Sequence, residues 1–401
     1  MLSQEVEERL AEHLVDRIEK ENEYILKKIG NTIKYISTLS PSQAYQISQI
    51  LKYGGTYEEI AKEIARISGK NIQDIYKIFE EVAKSNKQFA REFYQYRGIN
   101  YIPYNKDSAL KKQVESIAKI TADTYKNISN TTGIGYLFKD LNGQMYFKNI
   151  QESYYSIIDS GILSISQGKE TFDTQMRKIM KQIGQNGLVM YESGRTRRLD
   201  SAVRMNLLDG IRQVSNETSQ RFGEEYGADG IEITVHMNPA PDHADIQGKQ
   251  FSIEEFEKLQ NGKIAKDINN VKYNGADKRH ISEYNCQHRT MNIVLGISKP
   301  QYTEKQLKEI EKNNLKGFEF EGKHYTNYEG TQLQRRLELS IRKQKDVQIL
   351  ARASGDKELI EQSQNKIRLL TNKYNQLCNV SGLLPKNKRM QVTEYRRVKV
   401  A

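Results

Sequence analysis

Apolar residues recur at helical spacing through most of this 401-residue chain. Val6, Leu10, Leu14, Ile18, Ile25 and Ile29 form a stripe between Glu and Lys residues, which predicts one long helix over 3–38. Ser40-Pro41-Ser42-Gln43 opens a second helix: Ser40 can cap, Pro41 suits the first helical position and Gln43 completes a capping box. Gly54-Gly55 ends it. Thr56-Tyr57-Glu58-Glu59 opens a third, with Ile60, Ile64 and Ile67, that stops at Gly69; Ile72, Ile75, Phe79 and Val82 mark a fourth. Tyr96 to Asp107, with Gly98, Pro103 and Asn105, reads as an elbow. Helices are expected again over 108–129, 146–166, 171–183 and 195–223.

The character of the chain then changes. Ile231-Glu232-Ile233-Thr234-Val235 alternates and is β-branched, so it predicts a strand. Three of the six prolines fall between Asn238 and Pro300, and proline breaks helices because it has no N–H to donate. Ser252 to Leu259 reads as a short capped helix, Asn261 to His280 as irregular, and Gly317 to His324 as a hairpin around Glu321-Gly322. From Asn327 the helical pattern returns, turns at Gly355-Asp356 and runs back over Leu359 to Leu377 as an antiparallel helical hairpin. The fold class expected is mainly α: long helices and helical hairpins with a small α+β module at about 187–300. Five regions follow: N-terminal helices over 1–100, a helical middle over 101–186, the α+β module over 187–300, the C-terminal hairpin over 301–385 and a basic tail over 386–401.

Composition narrows the function. The apolar fraction is 37% and mean hydropathy −0.75, so much of the chain should be solvated helix rather than thick core. No run of about eighteen apolar residues is present, so no membrane span is expected. The first eight residues are acidic and have no apolar h-region, so no secretory signal is expected. Cys286 and Cys378 lie far apart and read as reduced thiols in a cytosolic compartment. The net charge of +11 favours polyanions or acidic protein surfaces as partners.

Two loop segments carry the candidate chemistry: Pro239 to Lys249, and Tyr284-Asn285-Cys286-Gln287-His288. His236, His243, Cys286 and His288 are ligand types that suit zinc, with Asp242 or Asp245 available to complete a set. The reading preferred is a polar knot in which the same side chains lock the two loops together and no cofactor is needed. A magnesium nuclease on Asp242, His243, Asn285 and His288 is a further reading, and so is a toxin-like enzyme on His243, Cys286 and His288. No G-x-S-x-G elbow, P-loop or dinucleotide fingerprint occurs. Thr56 to Phe79 could form a helix-turn-helix about Gly69, but Asp74, Glu80 and Glu81 on its would-be reading helix would repel phosphate. Arginines at 195, 197, 198 and 204, and the set Arg335, Arg336, Arg342, Lys343 and Lys345, read as solvated faces with partners such as Asp200 and Glu338 at helical spacing. The tail set Lys386, Lys388, Arg389, Arg396, Arg397 and Lys399 has few acidic neighbours and is the expected contact for nucleic acid or an acidic partner.

Five ordered blocks resemble the minor capsid protein 2 family of tailed phages, and more distantly Mu-F-like head-morphogenesis proteins. Gly187 to Arg195 looks like the family's glycine-marked segment, and Arg204 to Asp229 like its long helix with the closing E-x-x-G-A-D. Pro241-Asp242-His243-Ala244 and Gln247-Gly248-Lys249 resemble the signature R-P-x-H-A-x-W-Q-G-K, and Asn285-Cys286-Gln287-His288 resembles N-C-R-H. Tyr328, Gln332, Arg335, Arg336, Glu338, Ile341, Arg342 and Lys345 follow the family's C-terminal helix pattern. Ala240 stands where the family often has Arg, and Ile246 where it has Trp. The resemblance implies a structural, non-enzymatic virion component that meets the portal or major capsid protein. It would sit at the portal vertex or capsid interior, assisting head assembly, DNA packaging or ejection, after synthesis in the host cytoplasm.

Overall fold

The computed structural model describes residues 4–53, 55–139, 142–186, 189–190, 196–260, 281 and 286–392. Along the chain run α1 (Gln4–Ser37), α2 (Pro41–Tyr53), α3 (Thr56–Tyr96), α4 (Ser108–Ile128), β1 (Gly135–Lys139), β2 (Met145–Asn149), α5 (Ile150–Ser166) and α6 (Lys169–Gln185). Then come β3 (Val189–Met190), β4 (Thr196–Arg197), α7 (Leu199–Tyr226), β5 (Gly230–Ile233), β6 (Gln250–Ser252), α8 (Ile253–Gln260) and β7 (Thr290–Ile293). The last elements are α9 (Glu304–Lys316), β8 (Phe318–Phe320), β9 (Lys323–Tyr325), α10 (Asn327–Ser354) and α11 (Lys357–Ser381). The chain is mainly α with small antiparallel sheets, as the hydrophobic pattern predicts. No helix among the described residues is long and apolar enough to cross a membrane.

Two compact units form, each from three stretches of chain. Met1–Glu12, Gln73–Asp123 and Met205–Gln332 make the first; His13–Ile72, Thr124–Arg204 and Leu333–Ala401 make the second.

In the first unit β5 is the middle strand of the sheet β6-β5-β7, antiparallel to both neighbours. Ile231 lies opposite Phe251 on one side and Asn292 on the other, and all four β5 residues are buried. A strand covered on both faces reads as continuous burial, which explains why Glu232 is also inside; its carboxylate accepts from Gln250 at 2.8 Å and from the backbone of Gln301 at 3.0 Å. Ile233, Ile246, Phe251, Leu259 and Ile281 form a small apolar cluster, with Phe256 at its edge. Gly210 of α7 lies so close to α3 and α4 that a Cβ there would stand 2.5 Å from the Phe79 ring and 2.4 Å from Thr121.

In the second unit α1 and α10 approach closely. A Cβ at Gly30 would meet Ala353 at 2.5 Å. The turn between α10 and α11 uses Gly355 at φ +81°, and the Asp356 side chain caps α11 through the Leu359 amide at 3.0 Å.

Several expectations need correction. Gly69 does not end a helix: α3 runs unbroken through it. Ile60, Ile64, Ile67, Asn71, Ile75, Ile78 and Val82 form one buried stripe. Gly69 lies off that stripe, exposed, and a Cβ there would meet nothing within 4 Å. A helical glycine costs about 1 kcal/mol, far less than that burial contributes. The helix-turn-helix reading falls with the missing turn. The helix expected from Tyr146 begins at Ile150, because Met145–Asn149 pairs with β1 and Asn149 closes a capping box with Glu152. Helix α9, not expected, starts at a capping box of Thr303 and Gln306.

Arg198 and Arg342 do not lie on solvated faces. Arg198 is 3% exposed; it binds Asp200 at 2.9 Å and also Asp346, and Arg342 binds Asp200 as well. Arg195 and the irregular stretch expected over 261–280 lie outside the described residues.

Candidate functional site

The loop after β5 folds back because Gly248 takes φ +69° and gives its amide to Ile233 O at 2.7 Å. A side chain there would meet Leu307 at 2.5 Å and Val235 at 2.9 Å. Gly248→Ala is therefore expected to cost about 2 kcal/mol or more, read as a lower urea midpoint at unchanged slope. Before the glycine, the Ile246 and Gln247 amides donate to His243 O at 3.3 and 3.2 Å, a tight turn that buries His243. Ile246 is fully buried in the apolar cluster. The second loop joins the sheet at Arg289, whose amide donates to Thr234 Oγ1 at 2.7 Å and whose carbonyl accepts from Thr234 N at 2.8 Å.

These two loops bring His243, Cys286 and His288 together. Cys286 Sγ lies 3.3 Å from His243 Nδ1 and 3.4 Å from His288 Nδ1. The two rings meet edge to face at 5.3 Å. The three residues are 1%, 4% and 3% exposed, and their ligand atoms all lie within 4.8 Å of one another. Burial alone would raise the Cys286 thiol; hydrogen bonds and charge from His243 and His288 outweigh it and bring the thiol down to about 5.

The remaining residues of the motif have distinct places. Gln247 is buried, and its Oε1 lies 3.0 Å from His288 Nε2 and accepts the His236 amide at 2.8 Å. The His236 ring is 6.1 Å from that of His288, centre to centre, and its Nδ1 accepts from the Asn238 amide at 3.2 Å. Asp242, half-buried, stands 3.7 Å from His243 Nε2. Pro241 is exposed, Asp245 and Lys249 are half-buried, and Asn285 lies outside the described residues.

Spacing gave no hint of one neighbour. Arg289, next to His288, binds Glu7 on α1, and Glu7 is fully buried. A cleft of about 290 Å³ opens elsewhere in this unit, lined by Asn216, Glu217, Gln220, Glu224, Phe256 and Thr290 among others; none of the three clustered residues lines it.

Of the tail set, Lys386 and Lys388 are exposed and Arg389 is half-buried; Arg396, Arg397 and Lys399 lie outside the described residues. The segment is held down where it starts. Lys386 N donates to Tyr374 Oη at 2.8 Å, Met390 O accepts from Lys345 Nζ at 2.6 Å, and Met390 and Val392 are buried.

Comparison with known proteins gives one result. The family model described as phage minor capsid protein 2 matches residues 3–379. No curated protein and no solved structure matches the chain. Since the match takes in both loops, the long helices before them and the C-terminal hairpin, the chain belongs to the phage minor capsid protein 2 family and is a structural protein of the bacteriophage virion.

Proposed function

We propose that this minor capsid protein works by binding, at the portal vertex or on the capsid interior, and assists head assembly, DNA packaging or ejection. The observation that carries this reading is the match of nearly the whole chain to the family. The charge of +11 and the exposed Lys386 and Lys388 support a contact with DNA or an acidic capsid surface. Burial of His243, Cys286 and His288 away from the cleft supports bracing over turnover at the cluster.

The full-length protein is to be co-expressed with the portal protein and the major capsid protein of the same phage. Capture by one or both is expected, and capture by neither would sink the docking claim. Changing Lys386, Lys388, Arg389, Arg396, Arg397 and Lys399 to Gln is expected to weaken DNA binding. The slope of log affinity against log salt should then fall by up to about 5. An unchanged slope removes the tail from the interface. Plasmid nicking with magnesium that is lost in a folded His243→Ala variant would replace the structural reading with a nuclease.

A further inference from the structure

We propose that His243 Nδ1, Cys286 Sγ and His288 Nδ1 are the protein ligands of a structural zinc ion that clasps the two loops of the first unit. The inference is independent of where the protein docks.

The distances fit first. Zinc bonds of about 2.3 Å to sulfur and 2.0–2.1 Å to nitrogen, at tetrahedral angles, separate sulfur and nitrogen ligands by about 3.6 Å. The observed separations are 3.3 and 3.4 Å.

The rings are oriented for it. The atom of Gln247 facing His288 also accepts the His236 backbone N–H, which can only donate, so that atom is the amide oxygen. It is an acceptor for His288 Nε2, and the ring so held turns its Nδ1 to Cys286. All three ligand atoms lie within 4.8 Å of one another, and all three residues are buried.

The surroundings are those of a metal site. A ligating imidazole usually gives its other N–H to a carbonyl or carboxylate oxygen, and His288 has that partner in Gln247, while the Asp242 carboxylate stands 3.7 Å from His243 Nε2. One thiolate with two imidazoles suits zinc and disfavours magnesium or calcium. Three protein ligands leave one position for water. Burial of all three ligands favours a structural role. The clasp would add to a small apolar cluster, which among the described residues is Ile233, Ile246, Phe251, Leu259 and Ile281 with Phe256 at the edge.

The test uses the full-length protein. Metal analysis after gel filtration is expected to find zinc at one per chain, falling at least tenfold in Cys286→Ser and in His288→Gln. Chelation is expected to lower Tm, and zinc to restore it. Cobalt added to the stripped wild-type protein is expected to give a thiolate-to-cobalt charge-transfer band. Gln247→Leu, which removes a positioning residue, is expected to weaken zinc affinity about tenfold or more. Wild-type protein that is folded, metal-free and unchanged in Tm by zinc overturns the proposal, as does full zinc content in a folded Cys286→Ser variant. Should the ligand variants fail to fold, the wild-type cobalt spectrum decides: the band supports the site and its absence overturns it.

Discussion

Glu7→Ala is expected to destabilise the protein by about 3–5 kcal/mol, because it strands a buried guanidinium. Glu7 has no exposed surface, and one of its oxygens binds Arg289. Its other oxygen and Arg289 Nε have no hydrogen-bond partner among the described residues. Burial pushes the Glu7 carboxyl up; the charges of Arg289 and Arg212 pull against that without cancelling it. The pair contributes little net stability, since its desolvation offsets its attraction, yet removing one member leaves the other uncompensated. Arg289 also sits between His288 and the sheet, so the loss should reach the cluster: the Arg289 and Thr234 amides should exchange faster with solvent deuterium. Glu7→Gln, which can still accept, should lose less, and Glu7→Leu combined with Arg289→Met should recover most of the loss. Urea unfolding measures all three. A loss below about 1 kcal/mol in Glu7→Ala would show that the buried pair is not formed in solution.

Arg198→Ala should cost a similar amount, about 3–5 kcal/mol, and should also change the response to acid. In the second unit Arg198 bridges Asp200 and Asp346, with Arg342 as a further cation on Asp200. Burial pushes the Asp200 carboxyl up, but Arg198 and Arg342 outweigh it and hold the group at about 2. Its folded value therefore lies below the unfolded value of about 3.9. The stability it contributes is fully present above that unfolded value and is lost as pH falls through about 2. Without Arg198, the Asp200 value rises, and the acid-unfolding midpoint followed by circular dichroism should move to higher pH. An unchanged midpoint would mean that Arg342 alone holds Asp200. Arg198→Lys should not rescue, because an ammonium cannot span two carboxylates as a planar guanidinium does.

The site was legible in part. His243, Cys286, His288 and Gln247 stood out because they occupy proline-marked loops in a helical chain and match an ordered family signature. Their convergence needed the sheet: β5 carries the first loop and β7 follows the second, and antiparallel pairing of the two strands sets the loops side by side. Gln247 as the acceptor for His288 was invisible, because the sequence does not say which side of a turn an amide will face. The helix end expected at Gly69 came from weighing a local breaker above the stripe running past it. The arginine error had the opposite cause. Asp200 and Glu338 at helical spacing suggested local pairs, while Arg342 bound Asp200 from 142 residues away.

Hydrophobic periodicity and end signals act over a few residues, so the sequence alone determined the helical class, most helix spans, the β5 strand, the Glu321-Gly322 turn and the motif loops. The turn shows this best: Glu321 and Gly322 take φ values of +50° and +74° between β8 and β9, which two residues decide by themselves. Tertiary structure alone decided which charges are buried and with whom. Glu7 and Arg289 are 282 residues apart, and Arg198 and Asp346 are 148 apart. A charge pattern cannot reveal such pairs, because their energy comes from desolvation, and desolvation exists only once the surrounding helices have closed over them.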